Sequence, residues 1–245
     1  MSRAAPLLAV LSYHKIGEPP PDGWSSWYYV SEGLFAAHLG YLRHRGWPVL
    51  DAESFVHGLR DPGSLPDRSV LLTFDDAYRS MRSVALPILG RFDLPSVVFV
   101  PAGLIGQSND WDTGVEPRER LCDRDDLAAL RAGGVSIQSH GWGHRRFSEI
   151  SADEREAELR RSRTALEQEA GSSVSLFAYP YGDDGEGSPE IRAQVEGAGY
   201  SAAFLFGGGP VEMPPADPFG IERLPVGSDT DLDALLGSVS AGVAE

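Results

Sequence analysis

Two short segments of the sequence combine side chains that commonly bind metals and transfer protons in enzymes. His140 and His144 lie four residues apart, so both imidazoles face one point if the segment forms a helical turn. The adjacent pair Asp75 and Asp76 supplies carboxylates. Two histidines with one aspartate leave coordination positions open for water and substrate. Taken alone, the histidines could be ordinary surface or core residues, and an Asp-Asp pair could cap a helix.

Apolar stretches of strand length alternate with helix-like stretches along the whole chain. The predicted strands cover residues 7–13, 47–50, 70–74, 96–100, 135–138, 175–178, 201–205 and 221–226. The predicted helices cover residues 32–44, 52–59, 152–169, 189–196 and 231–236, with a further helix capped by Asp123 that ends at Gly133. The alternation favours parallel βαβ units. About seven to eight strands predict an α/β fold, a distorted (β/α) barrel formed by one domain over residues 1–245.

The polar side chains of interest fall just after predicted strands. His14 follows the first strand, the aspartate pair follows the strand at 70–74, and both histidines follow the strand at 135–138. In parallel barrels, the loops after the carboxyl ends of the strands form the active site. Their shared position therefore favours a common metal site over unrelated structural roles.

Composition narrows the class of partner. The formal net charge is −15, with 36 acidic and 21 basic residues, which disfavours binding to nucleic acid or anionic membranes. The single cysteine, Cys122, excludes an intrachain disulfide. The apolar run at residues 7–11 is too short for the core of a signal peptide. The sequence therefore predicts a soluble, cytoplasmic protein that acts on a neutral or cationic small substrate or a neutral glycan.

Three ordered motifs resemble those of carbohydrate esterase family four, the NodB-like polysaccharide deacetylases. Residues 73–76 (Thr-Phe-Asp-Asp) resemble the first motif, residues 139–144 (Ser-His-Gly-Trp-Gly-His) the second, and residues 177–182 (Phe-Ala-Tyr-Pro-Tyr-Gly) the third. Residues 13–16 (Tyr-His-Lys-Ile) are similar to the opening strand end of one branch of the family. The similarity covers almost the whole chain.

The resemblance implies a distorted barrel of the NodB-homology type with one divalent metal, usually zinc, with cobalt, nickel or manganese as alternatives. By resemblance, Asp76, His140 and His144 hold the metal and Asp75 is the general base. A metal polarises a carbonyl and lowers the pKa of bound water, and a nearby carboxylate accepts the proton. The backbone N–H of Tyr181 is expected to stabilise the oxyanion with the metal.

The sequence departs from the family pattern at three positions. Ala178 stands where the third motif usually has the arginine that orients the base, Ala77 replaces a common glycine, and the late Leu-x-His motif is absent. We interpret Arg223 as the substitute that orients Asp75, with a surface salt bridge as the alternative. We interpret His14 as the general acid, with a hydrogen-bonded core histidine as the alternative.

Aromatic residues surround the predicted mouth. The loop at residues 24–29 holds four aromatics, and the predicted substrate contacts are Trp27, Trp142, Tyr179 and Pro180, with Trp111 as a further candidate. The predicted reaction is hydrolysis of an N-acetyl group from an amino sugar. Hydrolysis of another amide or an O-acetyl ester, and a catalytically impaired module that binds metal and sugar, remain alternatives. A third alternative, a glycosidase, would use two carboxylates without a metal. It ranks last, because it leaves the two histidines unexplained.

Overall fold

The computed structural model describes residues 4–21 and 24–241, which form a curled, mostly parallel sheet covered by helices. The strands are β1 (Leu7–Tyr13), β2 (Lys15–Ile16), β3 (Tyr29–Val30), β4 (Arg68–Phe74), β5 (Ser96–Val100), β6 (Val135–Ser139), β7 (Leu176–Ala178), β8 (Ala202–Phe204), β9 (Val211–Glu212) and β10 (Leu224–Pro225). The helices are α1 (Glu32–His44), α2 (Ala52–Arg60), α3 (Leu86–Phe92), α4 (Arg124–Ala132), α5 (Ala152–Ala170), α6 (Pro189–Gly197) and α7 (Leu232–Ala241). A π-helical turn, Met81–Ala85, leads into α3.

The main sheet runs in the order β10-β1-β4-β5-β6-β7-β8, and all these neighbours pair in parallel. The segment at residues 221–226 joins its two ends. Ile221 exchanges backbone hydrogen bonds with the β8 region, whereas the N–H of Val226 donates to Ser12 in β1. The predicted distorted (β/α) barrel is confirmed, with seven strands along the main path and the short β9 antiparallel to β1.

Side chains alternate between the two faces of the strands, as the period of two requires. One face packs under the helices: Leu72 of β4 lies in the same cluster as Phe35 of α1 and Leu159 of α5. The other face fills the barrel interior, where Leu71 and Phe99 share a cluster with residues of α2. Burial on both faces explains why these parallel strands are almost continuously apolar.

The element boundaries follow local sequence signals in most cases. Ser31 caps α1 at the predicted residue, and Ser151 forms the predicted capping box at the start of α5. The predicted strand at residues 47–50 is wrong, because only Val49 makes an isolated bridge there. The predicted strand at residues 221–226 shortens to β10, because this segment divides its bonds between two neighbours.

None of the helices in the described part of the chain combines the length and apolar character needed to cross a lipid bilayer.

Candidate active site

Strand geometry brings three reactive side chains to the mouth of the barrel. The backbone hydrogen bonds of the sheet continue one residue past β4 and β6. The N–H of Asp75 donates to the carbonyl of Tyr13 in β1, and the N–H of His140 donates to the carbonyl of Val100 in β5, both at 2.9 Å. Asp75 therefore keeps the same facing as Leu71, which lies in the barrel interior. His14, directly after β1, lies beside Asp75, with 3.9 Å between His14 Nε2 and Asp75 Oδ2.

Asp76, His140 and His144 converge in a buried cluster whose possible ligand atoms all lie within 4.8 Å of one another. Asp76 Oδ1 is 3.4 Å from His140 Nε2 and 3.1 Å from His144 Nε2. This oxygen is buried and is without a hydrogen-bond partner among the described residues. Burial raises the pKa of Asp76, but the two imidazoles outweigh burial and hold it well below its ordinary value.

The donor set fits a divalent metal. His140 Nδ1 lies 2.7 Å from the carbonyl oxygen of Ala178. This contact favours the tautomer with the proton on Nδ1, which leaves a lone pair on Nε2 beside Asp76. Two imidazole nitrogens and one carboxylate oxygen form a three-ligand set typical of catalytic metal sites. An acceptor oxygen buried without a donor is also an environment that a cation would satisfy.

The segment that links the two histidines is a loop and not the helical turn that a spacing of four residues would allow. Gly141 has a φ of 77° and His144 a φ of 53°, both in the left-handed region. The two histidines meet through this left-handed geometry instead of helical spacing. Glu158 of α5, which the sequence analysis missed, accepts hydrogen bonds at 2.7 Å from the backbone N–H groups of Trp142 and Gly143.

Arg223 clamps Asp75 from inside the barrel. Its two terminal nitrogens donate to the two carboxylate oxygens at 2.7 Å each, and its Nε donates to the carbonyl of Leu205 at 2.6 Å. Arg223 is fully buried, which excludes the surface salt bridge considered from the sequence. Burial raises the pKa of Asp75, but Arg223, with smaller contributions from His140 and His14, outweighs burial, so the pKa lies below its ordinary value.

His14 lies between two aromatic rings at the opposite side of Asp75 from the barrel core. Its ring centroid is 4.8 Å from Tyr28 and 5.4 Å from Phe206. Nδ1 is buried and unpartnered among the described residues, so His14 is not the hydrogen-bonded core histidine of the alternative interpretation. Burial lowers the pKa of His14 below its ordinary value.

A cavity of about 520 Å³ joins these groups, a volume in the range of small-molecule sites. Trp111 from the long loop stacks on the imidazole of His144 at 4.2 Å between centroids, and Tyr181 contacts the same imidazole edge-on at 4.6 Å. Asp112, next to Trp111, also lines the cavity, and burial raises its pKa. Trp111 is among the candidates that the sequence predicts, whereas Asp112 and Phe206 are not, since neither belongs to a motif.

The four other predicted substrate contacts do not line this cavity. Tyr179 is fully buried, and its hydroxyl donates to the carbonyl of Phe219. Pro180 is buried beside it. Trp142 turns away from the cavity and packs on Gly103. The prediction that Trp142 contacts the substrate in this cavity is therefore wrong. Trp27 is 37% exposed and donates from its indole nitrogen to Asp229, outside the cavity wall.

The backbone at the first motif is left-handed, which explains why a glycine is common at the position that Ala77 occupies here. Asp76 has a φ of 67° and Ala77 a φ of 54°. An alanine in this region costs about 1–2 kcal/mol relative to the right-handed conformation. Tyr181 also has a positive φ, 60°. Non-glycine residues with such backbone angles concentrate at functional sites, because the surrounding structure must hold them there.

Comparison with known proteins assigns the family. Residues 63–203, more than half of the chain, match the family described as polysaccharide deacetylase. The chain belongs to the polysaccharide deacetylase family. It is 24% identical over 167 residues to the poly-beta-1,6-N-acetyl-D-glucosamine N-deacetylase of Staphylococcus epidermidis, covering 63% of this chain and 54% of that protein. The chain spans 54–62% of the length of the first curated relatives it matches.

Solved structures show the same fold. The deacetylase PplD of Streptococcus pyogenes, in complex with acetate, superimposes with a TM-score of 0.81 at 20% identity, covering 95% of this chain and 98% of that one. IcaB from Ammonifex degensii gives a TM-score of 0.77 at 24% identity and full coverage of both chains. The predicted barrel of the NodB type is therefore confirmed.

Proposed function

We propose that this chain is a metal-dependent deacetylase that hydrolyses the N-acetyl group of an amino sugar. The observation that carries the proposal is one cavity in which Asp76, His140 and His144 converge beside the Arg223-clamped carboxylate of Asp75. The family and the named activity of the Staphylococcus epidermidis relative support an N-acetylglucosamine-containing glycan as the substrate class. Another amide or an O-acetyl ester is a second substrate class to test.

Asp76, His140 and His144 would hold a divalent ion, with zinc the proposed metal and cobalt, nickel or manganese as substitutes. When bound, such an ion polarises the acetyl carbonyl and acidifies a coordinated water. The three protein ligands leave coordination positions for both.

Asp75 takes the proton from the attacking water. Its depressed pKa keeps the carboxylate ionised at neutral pH, so it is ready to accept. The bidentate pair with Arg223 fixes the orientation of the carboxylate and occupies one lone pair on each oxygen. The other lone pairs remain for the water.

Tyr181 and His14 complete the proposed machinery. The backbone N–H of Tyr181 makes none of the hydrogen bonds found in residues 4–21 and 24–241, so it is free to donate to the developing oxyanion. His14 begins neutral, because burial lowers its pKa. Because the pKa of Asp75 is depressed, the proton that it takes moves on to His14, whose Nε2 lies 3.9 Å from Asp75 Oδ2, and the imidazolium then donates to the leaving amine.

The test is acetate release from N-acetylglucosamine oligomers by zinc-loaded protein. We expect turnover that disappears on chelation, returns with zinc, and is lost in Asp75→Asn. The exposed Asp153→Asn, on the first turn of α5, is the matched control and should keep full activity. Protein that binds zinc and oligomers but releases no acetate would contradict the proposal and favour the catalytically impaired binding module.

A further inference from the structure

The loop between the two histidines is fixed to the protein on both sides through its backbone. On one side, the carbonyls of Gly141 and Trp142 accept hydrogen bonds at 2.9 Å from the N–H groups of residues 102 and 103. On the other side, a single oxygen of Glu158, Oε2, accepts the N–H groups of Trp142 and Gly143 at 2.7 Å each. Four consecutive polar contacts thus hold three residues of irregular backbone.

Glu158 is an unusual anchor because it is a buried acid, only 7% exposed. Two successive backbone N–H groups form a small concavity that suits an anion. No ion pair in the described part of the chain involves Glu158, so these N–H groups are its main stabilising contacts. A carboxylate that accepts two N–H groups makes stronger bonds than a neutral acceptor would.

The two glycines of the motif, Gly141 and Gly143, leave room for the Glu158 carboxylate to approach the backbone closely. A Cβ atom built on Gly141 or Gly143 would lie 3.2 Å from an oxygen of Glu158. Arg161, one turn further along α5, covers the ring of Trp142 at 4.2 Å from its centroid. Helix α5 therefore binds both the backbone and the side chain of the loop centre, while the two histidines point the opposite way into the cavity.

We propose that Glu158 is a positioning residue that preorganises His140 and His144 for the metal. This inference rests on the metal site of the proposed function. Without the Glu158 contacts, the N–H groups of Trp142 and Gly143 lose their partner, and the loop that leads into the left-handed backbone at His144 is held from one side only. The ion must then order the imidazoles as it binds. The free-energy cost of this ordering weakens metal binding.

The magnitude follows from outer contacts at metal sites, whose loss typically weakens metal binding about 10- to 100-fold. We expect Glu158→Ala to weaken zinc binding by about 100-fold, since both bonds are lost. Glu158→Gln keeps an acceptor oxygen but not the charge. Because charge-assisted bonds are roughly twice as strong as neutral ones, its loss should be about tenfold.

The experiment measures the zinc dissociation constant by competition with a chromophoric chelator, on folded protein verified by circular dichroism. Glu156→Ala is the matched control, because Glu156 lies on the same helix, is exposed, and within residues 4–21 and 24–241 forms an ion pair only with Arg160. The order of affinity should be wild type and Glu156→Ala, then Glu158→Gln, then Glu158→Ala. A purely structural role would lower thermal stability and leave the zinc affinity of the folded protein unchanged.

The outcomes separate this inference from the proposed function. Wild-type protein that binds no zinc overturns the metal site and the positioning role together. Wild-type protein that binds zinc, with Glu158 variants of equal affinity, overturns only the positioning role. If Glu158→Ala does not fold, Glu158→Gln decides: wild-type affinity refutes the proposal, and a loss of about tenfold supports it.

Discussion

Replacing Arg223 by methionine isolates the effect of the ion pair that orients the proposed base. The methionine preserves much of the buried volume beneath Asp75 but removes both hydrogen bonds that Arg223 donates to the Asp75 carboxylate. Asp75 is only 3% exposed, so its charge would be left buried without its cationic partner. Breaking a buried ion pair by removing one partner costs about 3–5 kcal/mol of the free energy of unfolding.

The pH dependence of that loss has a definite sign. In the wild type, the pKa of Asp75 is depressed, so its contribution to stability is present above its unfolded pKa of about 3.9 and disappears as pH falls through the folded value. In the variant, burial is no longer offset by Arg223, so we expect the pKa of Asp75 to rise above its ordinary value. The ionised form then destabilises the fold, most strongly at neutral and higher pH. The destabilisation should therefore shrink as the pH is lowered.

Urea unfolding of both proteins at pH 7 and at pH 5 measures this difference. The second variant, Asp75→Asn in the Arg223→Met background, removes the stranded charge and should recover part of the lost stability at pH 7. Turnover of Arg223→Met should fall and the acidic limb of its rate profile should move to higher pH, with zinc content unchanged. An equal loss of stability at both pH values, with an unmoved acidic limb, would refute the assigned role.

Three further predictions address other parts of the site. His14→Ala should lower turnover of an unactivated amide about 100- to 10,000-fold while zinc stays bound, with a smaller loss for substrates whose leaving group needs no proton; near-full activity would contradict the acid role. Gly103→Ala should lower the free energy of unfolding by about 1–3 kcal/mol, because its Cβ would lie 2.6 Å from the Trp142 ring, whereas Gly90→Ala, with open space, should not destabilise. Removing zinc held at about 1,000 times its dissociation constant should cost roughly 4 kcal/mol, and an unchanged urea midpoint would argue against a bound ion.

Local patterns predicted the elements and the residues that converge. The helix at residues 32–44 and the strand at 96–100 match the structure at both ends, because a capping serine and apolar runs mark them. The meeting of Asp76 with His140 and His144 also follows from sequence, since all three come after strands that end at one rim. The Arg223 pair with Asp75 was predicted from the absence of an arginine at position 178.

The errors have a shared physical origin in contacts between distant segments. A spacing of four is compatible with a helical turn between the histidines, but the structure has a loop there, whose backbone donates to the remote carboxylate of Glu158. The same loop turns Trp142 outward onto Gly103, which lies 39 positions earlier in the sequence. Asp112 comes from a long loop without a recognisable pattern. No local periodicity encodes such placements.

The central claim is that Asp76, His140 and His144 hold one divalent metal beside Asp75. An anomalous-difference map recorded at the zinc edge, from crystals of the zinc-loaded protein, tests this claim most directly. We expect one strong peak within bonding distance of one oxygen of Asp76 and one nitrogen of each histidine, at about 2.0–2.2 Å. A well-occupied zinc peak elsewhere, with no density among these three side chains, would contradict the account.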